Sequence, residues 1–188
     1  MECPASDVIE VMRILYQKGL ITVLSGNASV RCGNHFLITP SGTPKHKISE
    51  LALVNLNTLE WVGPKPSIEY RMHAQFYLKS NFKAVVHAHN PMTVLLADVK
   101  PELLDPSPYV ESRYAIKRIG VVERLEAGSE ELALAVGREV EKGADVVVMK
   151  GHGAIAGGKD PYDALNKIEA LEYLSALAIE KLKLRSQT

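Results

Sequence analysis

The sequence predicts an α/β or α+β fold built on a mixed or mostly antiparallel sheet. Segments with apolar residues at helical spacing alternate with short runs rich in β-branched residues. Short runs also flank turn residues at Gly33-Asn34 and Asn55-Leu56-Asn57, a hairpin pattern that brings neighbouring strands together antiparallel. No repeat, linker or low-complexity tract interrupts the 188 residues, a length suited to one domain with a substantial core.

Each element has a local reason. Val8, Val11, Met12, Ile14 and Leu15 recur at helical spacing within residues 6–18, and Gly19 stands where a helix-ending glycine belongs. A small, polar, glycine-containing loop follows and runs into a strand by Arg31. The return strand covers residues 35–39 and ends in a second small-residue turn, Pro40-Ser41-Gly42. Two further short strands are expected at 51–54 and 58–62. A helix is expected from about residue 68 to 79, with Ser67 as its N-cap, Glu69 in its first turn and His73 one turn later. Ala84-Val85-Val86 reads as a buried strand closed by Asn90-Pro91, and Pro91 starts a helix to about residue 98. Residues 100–125 are loop-like around Pro101, Pro106 and Pro108, with a strand at 119–125. Ser129 caps a helix to residue 142, and Val146-Val147-Val148-Met149 is a second buried strand. Asp160 and Pro161 open a long amphipathic helix to about residue 184.

Composition narrows the function. The 22 Lys and Arg residues balance 22 Asp and Glu, whereas nucleic-acid grooves and membrane surfaces favour a basic excess; neither is an expected partner. No apolar run reaches the roughly 18 residues of a membrane span, and no apolar leader region follows Met1-Glu2-Cys3-Pro4. Cys3 and Cys32 make neither a disulfide framework nor a CxxC pair, which points to a reducing cytoplasm.

Three histidines carry the chemistry. His87 and His89 share one face of a strand, about 6–7 Å apart, so their ring nitrogens can converge on one ion. His152 ends the second buried strand between Gly151 and Gly153, which let backbone and ligand approach closely. Three imidazoles with an open fourth position form the ligand set of a catalytic zinc site. The turns at Gly26-Asn27 and Ser41-Gly42, and the helix start at Ser67, can each bind an anion through N–H and hydroxyl groups. Each of these residues also has an ordinary structural use, in turns, caps and buried hydrogen bonds.

Five segments together resemble, in order, the motifs of the class II aldolase/adducin family. They are Ser25-Gly26-Asn27-Ala28-Ser29-Val30-Arg31, Ile38-Thr39-Pro40-Ser41-Gly42, Pro66-Ser67-Ile68-Glu69 with His73, Val86-His87-Ala88-His89 and Gly151-His152-Gly153. The resemblance covers nearly the whole chain. It implies a single three-layer α/β/α domain over residues 1–188 with a central, mostly antiparallel sheet, assembled as a homotetramer with active sites between subunits. It further implies one Zn²⁺ per chain on His87, His89 and His152. Glu69 would take the metal's fourth position at rest and then leave it to act as acid/base. Gly26, Asn27, Ser41, Gly42, Ser67 and the backbone of Ile68 would bind the phosphate of a small phosphorylated sugar. Many aldolases of the family carry a second serine where this chain has Ile68. Tyr109 and Tyr114 are the candidates for the proton donor to the aldehyde oxygen, and His73 either supports Glu69 or a loop or is a plain buried histidine. The implied reaction is reversible cleavage of a ketose 1-phosphate into dihydroxyacetone phosphate and a short aldehyde such as lactaldehyde. The family also contains sugar-phosphate 4-epimerases, methylthioribulose-phosphate dehydratases and the non-catalytic adducin domains.

Overall fold

Strand β5 (Ala84–Ala88) lies in the middle of an eight-stranded sheet, and all five of its residues are buried. The computed structural model describes residues 3–186. The first hairpin, β1 (Asn27–Cys32) and β2 (His35–Ile38), forms as expected, and β1 pairs antiparallel with β5 so that Asn27 faces His87. Two short strands, β3 (Ala52–Asn55) and β4 (Trp61–Val62), extend that edge. On the other side of β5 lie β8 (Gly153–Gly158), β7 (Val146–Met149) and β6 (Ile119–Val122), in that order. Every pairing is antiparallel except β6 with β7, whose connection runs through helix α5 (Glu130–Glu141) as a parallel crossover requires.

The alternation of side chains along the central strands divides the core in two. Val86, Val146, Val148, Ala154 and Ala156 face one layer of helices: α1 (Ala5–Gln17), α3 (Pro91–Val99) and α6 (Pro161–Arg185). Val85, Val147, Met149 and Ile155 face α5 and α2 (Tyr70–Lys79) on the opposite side. The architecture is therefore the expected three-layer α/β/α with a mostly antiparallel sheet.

Four local expectations are corrected. Strand β8 was not expected, because Gly153-Ala154-Ile155-Ala156-Gly157-Gly158 holds only one β-branched residue, yet it is central to the sheet. The segment 100–118 is not all loop: a short helix, α4 (Val110–Ala115), forms within it. Helix α2 begins at Tyr70, so Ser67 precedes the helix and accepts from the Glu69 N–H at 3.3 Å. Finally, Cys3 and Cys32 are joined as a disulfide, their Cα atoms 5.8 Å apart, which removes the cysteine argument for a reducing compartment. Among the described residues no helix is long and apolar enough to cross a membrane.

Candidate metal centre and active site

The β5–β8 pairing carries His87 and His152 to one end of the sheet, where His89 follows directly after β5. The three imidazole centroids lie 4.9, 4.9 and 5.0 Å apart. One nitrogen from each ring lies within 4.8 Å of the others. Backbone and side-chain contacts fix the supports. His89 N–H donates to the Leu20 carbonyl at 3.0 Å, and Asn90 donates its amide to the Ile168 carbonyl at 3.0 Å. Glu172 of α6 accepts the Met92 and Thr93 N–H groups at 3.0 Å, which anchors the first turn of α3.

Two hydrogen-bonding facts bear on ligation. The His87 Nδ1–H donates to the Ala154 carbonyl at 2.9 Å, so its Nε2 keeps a free lone pair. That Nε2 lies 3.1 Å from Nε2 of His89. Two nitrogens bound at about 2.05 Å to one tetrahedral ion would lie roughly 3.3 Å apart. Glu69 Oε1 lies 3.4 Å from Nε2 of His152, again the spacing of two ligands of one ion. Nδ1 of His152 is buried without a hydrogen-bond partner, which leaves Nε2, the nitrogen beside Glu69, as the one placed to ligate. The donor set thus fits a tetrahedral cation of the zinc type.

The electrostatics agree with that fit. Burial, reinforced by the neighbouring His89 and His152, pushes His87 well below the ordinary imidazole range. Burial and then His152 push His89 down to about 4, and burial lowers His152. All three rings are neutral near pH 7, the form that ligates a metal. Burial raises the Glu69 carboxyl, opposed by the Gly128 N–H that donates to Oε2 at 3.2 Å.

A cavity of about 360 Å³ opens onto these groups. His87, His89, His152 and Glu69 line it, and so do Gly26, Asn27, Ser41, Gly42, Ser67 and Ile68. The fold brings all ten together from five separate segments. The means are backbone ties: Ser67 N–H donates to the Thr39 carbonyl at 3.0 Å and Ser41 N–H to the Lys65 carbonyl at 2.9 Å, which joins two of the turns. Gly26 is obligatory: its φ is +76°, and a Cβ there would stand 3.1 Å from the His87 carbonyl oxygen and closer still to Ile21.

His73 supports the Gly26-Asn27 loop and not Glu69. Tyr77 Oη lies 2.6 Å from Ser29 Oγ, which lies 2.7 Å from His73 Nδ1, and His73 Nε2 lies 2.5 Å from Asn27 Oδ1. Tyr77 is fully buried, and its hydroxyl proton would be stranded unless it donates to Ser29. Ser29 then donates to Nδ1 of His73, and Nε2–H donates to the Asn27 oxygen. The Asn27 NH₂ remains free of partners among the described residues, available to a ligand. Burial holds His73 neutral, at about 3.

Tyr109 and Tyr114 lie outside this cavity within the chain. Tyr109 packs edge-on against Tyr173, with ring centroids 6.5 Å apart, and Tyr114 is 82% exposed on α4. Lys45, Thr22 and Ala127 also line the cavity and were not singled out from the sequence. Lys45 lies in the run Lys45-His46-Lys47, which reads as a solvated basic turn; nothing local signals that its first lysine is buried.

A neutral three-histidine cluster beside a buried carboxylate, at the mouth of an anion-ready cavity, defines a metal-dependent enzyme site. Residues 6–179 match the family described as Class II Aldolase and Adducin N-terminal domain. The chain is 32% identical over 177 residues to an L-fuculose phosphate aldolase of Methanocaldococcus jannaschii, covering 93% of this chain and 94% of that one. It is 30% identical over 187 residues to a methylthioribulose-1-phosphate dehydratase of Methylococcus capsulatus, with 92% and 91% covered. An L-fuculose-1-phosphate aldolase structure from Thermus thermophilus superposes with a TM-score of 0.84 at 26% identity, covering 97% of this chain and 96% of that one. The chain belongs to the class II aldolase family, and its class is that of the metal-dependent aldehyde-lyases.

Proposed function

We propose that this protein is a zinc-dependent aldolase that reversibly cleaves a ketose 1-phosphate of the fuculose 1-phosphate type into dihydroxyacetone phosphate and a short aldehyde such as lactaldehyde. The observation that carries the reading is the convergence of His87, His89, His152 and Glu69 in one cavity with the Gly26-Asn27, Ser41-Gly42 and Ser67-Ile68 segments.

Cleavage of the carbon–carbon bond leaves negative charge on the three-carbon dihydroxyacetone phosphate fragment, at the carbon next to its carbonyl. A zinc ion held by His87, His89 and His152 would act as a Lewis acid toward that charge, without a lysine Schiff base. Glu69 holds the proton step. Burial raises its carboxyl, which favours uptake of a proton, and Glu69 would deliver that proton to the carbon freed by cleavage. The Asn27 NH₂, the Ser41 and Ser67 hydroxyls and the backbone of Gly42 and Ile68 bind the phosphate and so position the reacting carbons. Tyr114 and Tyr109, both outside the cavity of their own chain, would serve as proton donors only across a subunit boundary. That fits the homotetramer with shared sites expected of the family. We read residues 1–188 as one such domain, acting in the cytoplasm with one zinc ion per chain.

The similarity to methylthioribulose-1-phosphate dehydratase supports a second reading, in which the same site removes water from a related ketose phosphate. Elemental analysis coupled to cleavage of fuculose 1-phosphate, before and after chelation, decides between them. About one zinc per chain, with activity lost on chelation and restored by zinc, is the expected result. Zinc without cleavage transfers the assignment to dehydration or 4-epimerisation. Absence of metal from freshly purified protein overturns the site. Unfolding on chelation would make the metal structural, against the catalytic role.

A further inference from the structure

The cavity contains a buried cation that the roles above do not use. Lys45 is 2% exposed, yet it lines the same cavity as Asn27, Ser41, Gly42 and Ser67. Its ammonium donates to the Pro40 carbonyl at 2.8 Å, which occupies one of three N–H donors. No carboxylate lies within 4 Å of it among the described residues, although most other buried or half-buried cations of this chain, such as Lys167, are paired. Its backbone is fixed: Lys45 N–H donates to the Val23 carbonyl at 2.8 Å, and the adjacent His46 stacks on Tyr16 with centroids 4.7 Å apart. These ties hold the Lys45 backbone beside the cavity, and the Pro40 carbonyl holds its ammonium there.

An isolated buried ammonium is costly unless an anion completes it. Burial alone pushes Lys45 below the ordinary lysine range, with no acid nearby to oppose the shift. Among the described lining residues it is the one lysine or arginine, and besides Glu69 the wall offers neutral hydroxyl, amide and backbone N–H groups. Position 68 meanwhile offers an isoleucine, 52% exposed, where a hydroxyl could have donated. The cavity wall thus carries an ammonium at position 45 and no side-chain donor at position 68.

We propose that Lys45 binds the phosphate monoester of the substrate directly, and that this charge makes up for the hydroxyl absent at Ile68 and sets the preference for phosphorylated ligands. The inference rests on the sugar-phosphate reading of the site and deepens it. A phosphate dianion brings two or more acceptors to the two unused N–H groups of Lys45, and each charge-assisted bond is about twice as strong as a neutral one.

The test uses inorganic phosphate as the probe, titrated calorimetrically into the metal-loaded protein. Lys45→Met and Lys45→Gln should weaken phosphate binding about 10- to 100-fold, the range of one charged hydrogen bond. Lys45→Gln keeps a donor for the Pro40 carbonyl and so guards the fold. Lys47→Met, an exposed neighbour, should leave phosphate binding unchanged. Wild-type affinity in both Lys45 variants, or no phosphate binding by the wild type, overturns the proposal. If neither variant folds, the wild type decides through amine modification read by mass spectrometry. Saturating phosphate should slow labelling of Lys45 at least tenfold, and an unchanged rate overturns the proposal. Because phosphate binding is read without turnover, failure to cleave fuculose 1-phosphate would sink the aldolase reading and leave this one standing.

Discussion

Replacing Gly153 with alanine should damage the metal centre from outside it. The new Cβ would lie 2.2 Å from the Ala88 carbonyl oxygen and 3.1 Å from the Cα of His89, both backbone atoms that no side-chain rotation can move aside. Carbon–oxygen contacts of this kind settle at about 3.3–3.6 Å, so β5 and β8 must part locally by roughly 1 Å. That displacement falls between His89 on one strand end and His152 on the other. Metal ligation tolerates only about 0.2 Å. Metal affinity should drop about 10- to 100-fold, the loss typical when the groups supporting metal ligands are disturbed. Overpacking should also cost the metal-free protein about 1–3 kcal/mol. The assay is a competition titration against a chromophoric chelator, with urea melts of the metal-free form. Gly33→Ala is the control: it sits at a hairpin turn with φ +62° and nothing within 4 Å of a new Cβ, so it should lose stability and keep metal affinity. Wild-type metal affinity in Gly153→Ala would refute the transmission of strand spacing to the ligands.

Three further outcomes are expected. His73→Leu leaves Ser29 Oγ and the Asn27 oxygen without their shared partner, at about 1–3 kcal/mol for each group stranded. It should raise KM more than it lowers kcat, and an unchanged KM would detach Asn27 from substrate binding. The metal-free protein should be acid-labile. His73 at about 3, His89 at about 4 and His87 well below the ordinary range stay neutral when folded, while in the unfolded chain they take up protons below about 6.5. Their contribution is complete above pH 6.5 and declines as pH falls towards 4, by about 1.4 kcal/mol per pH unit for each. Glu69, shifted upward, acts in the opposite direction. Urea melts at pH 7, 6 and 5 measure the slope, and equal stability at pH 7 and 5 would contradict the buried neutral state. Asp145→Ala removes the acceptor of the Lys117 and Arg118 N–H groups and a partner 3.3 Å from the buried Lys167 ammonium. A loss of about 3–5 kcal/mol without change in metal affinity is expected from denaturant melts and chelator competition; a loss below 1 kcal/mol would show that Asp163, 3.6 Å from the same ammonium, suffices as partner.

What the sequence determined by itself is local and periodic. Alternation in Ala84-Val85-Val86-His87-Ala88-His89 sets which face each histidine takes, and the helical spacing in α1, α5 and α6 sets their buried stripes, because both follow from bond geometry a few residues long. The ordered motifs made legible the three histidines, Glu69 and the small-residue turns that line one cavity. Only the tertiary structure decided the remainder. Strand β8 is nearly featureless as sequence, since its glycines answer to groups outside the strand: a side chain would meet the Phe82 ring at Gly157 and the start of α6 at Gly158. The role of His73 depended on Asn27 and Ser29, more than forty positions away, being brought beside it by β1. Lys45 reads as one charge in an exposed basic turn until the fold buries it beside Pro40 and the cavity. Burial and long-range approach are sums over the whole chain, and no window of neighbouring residues contains them.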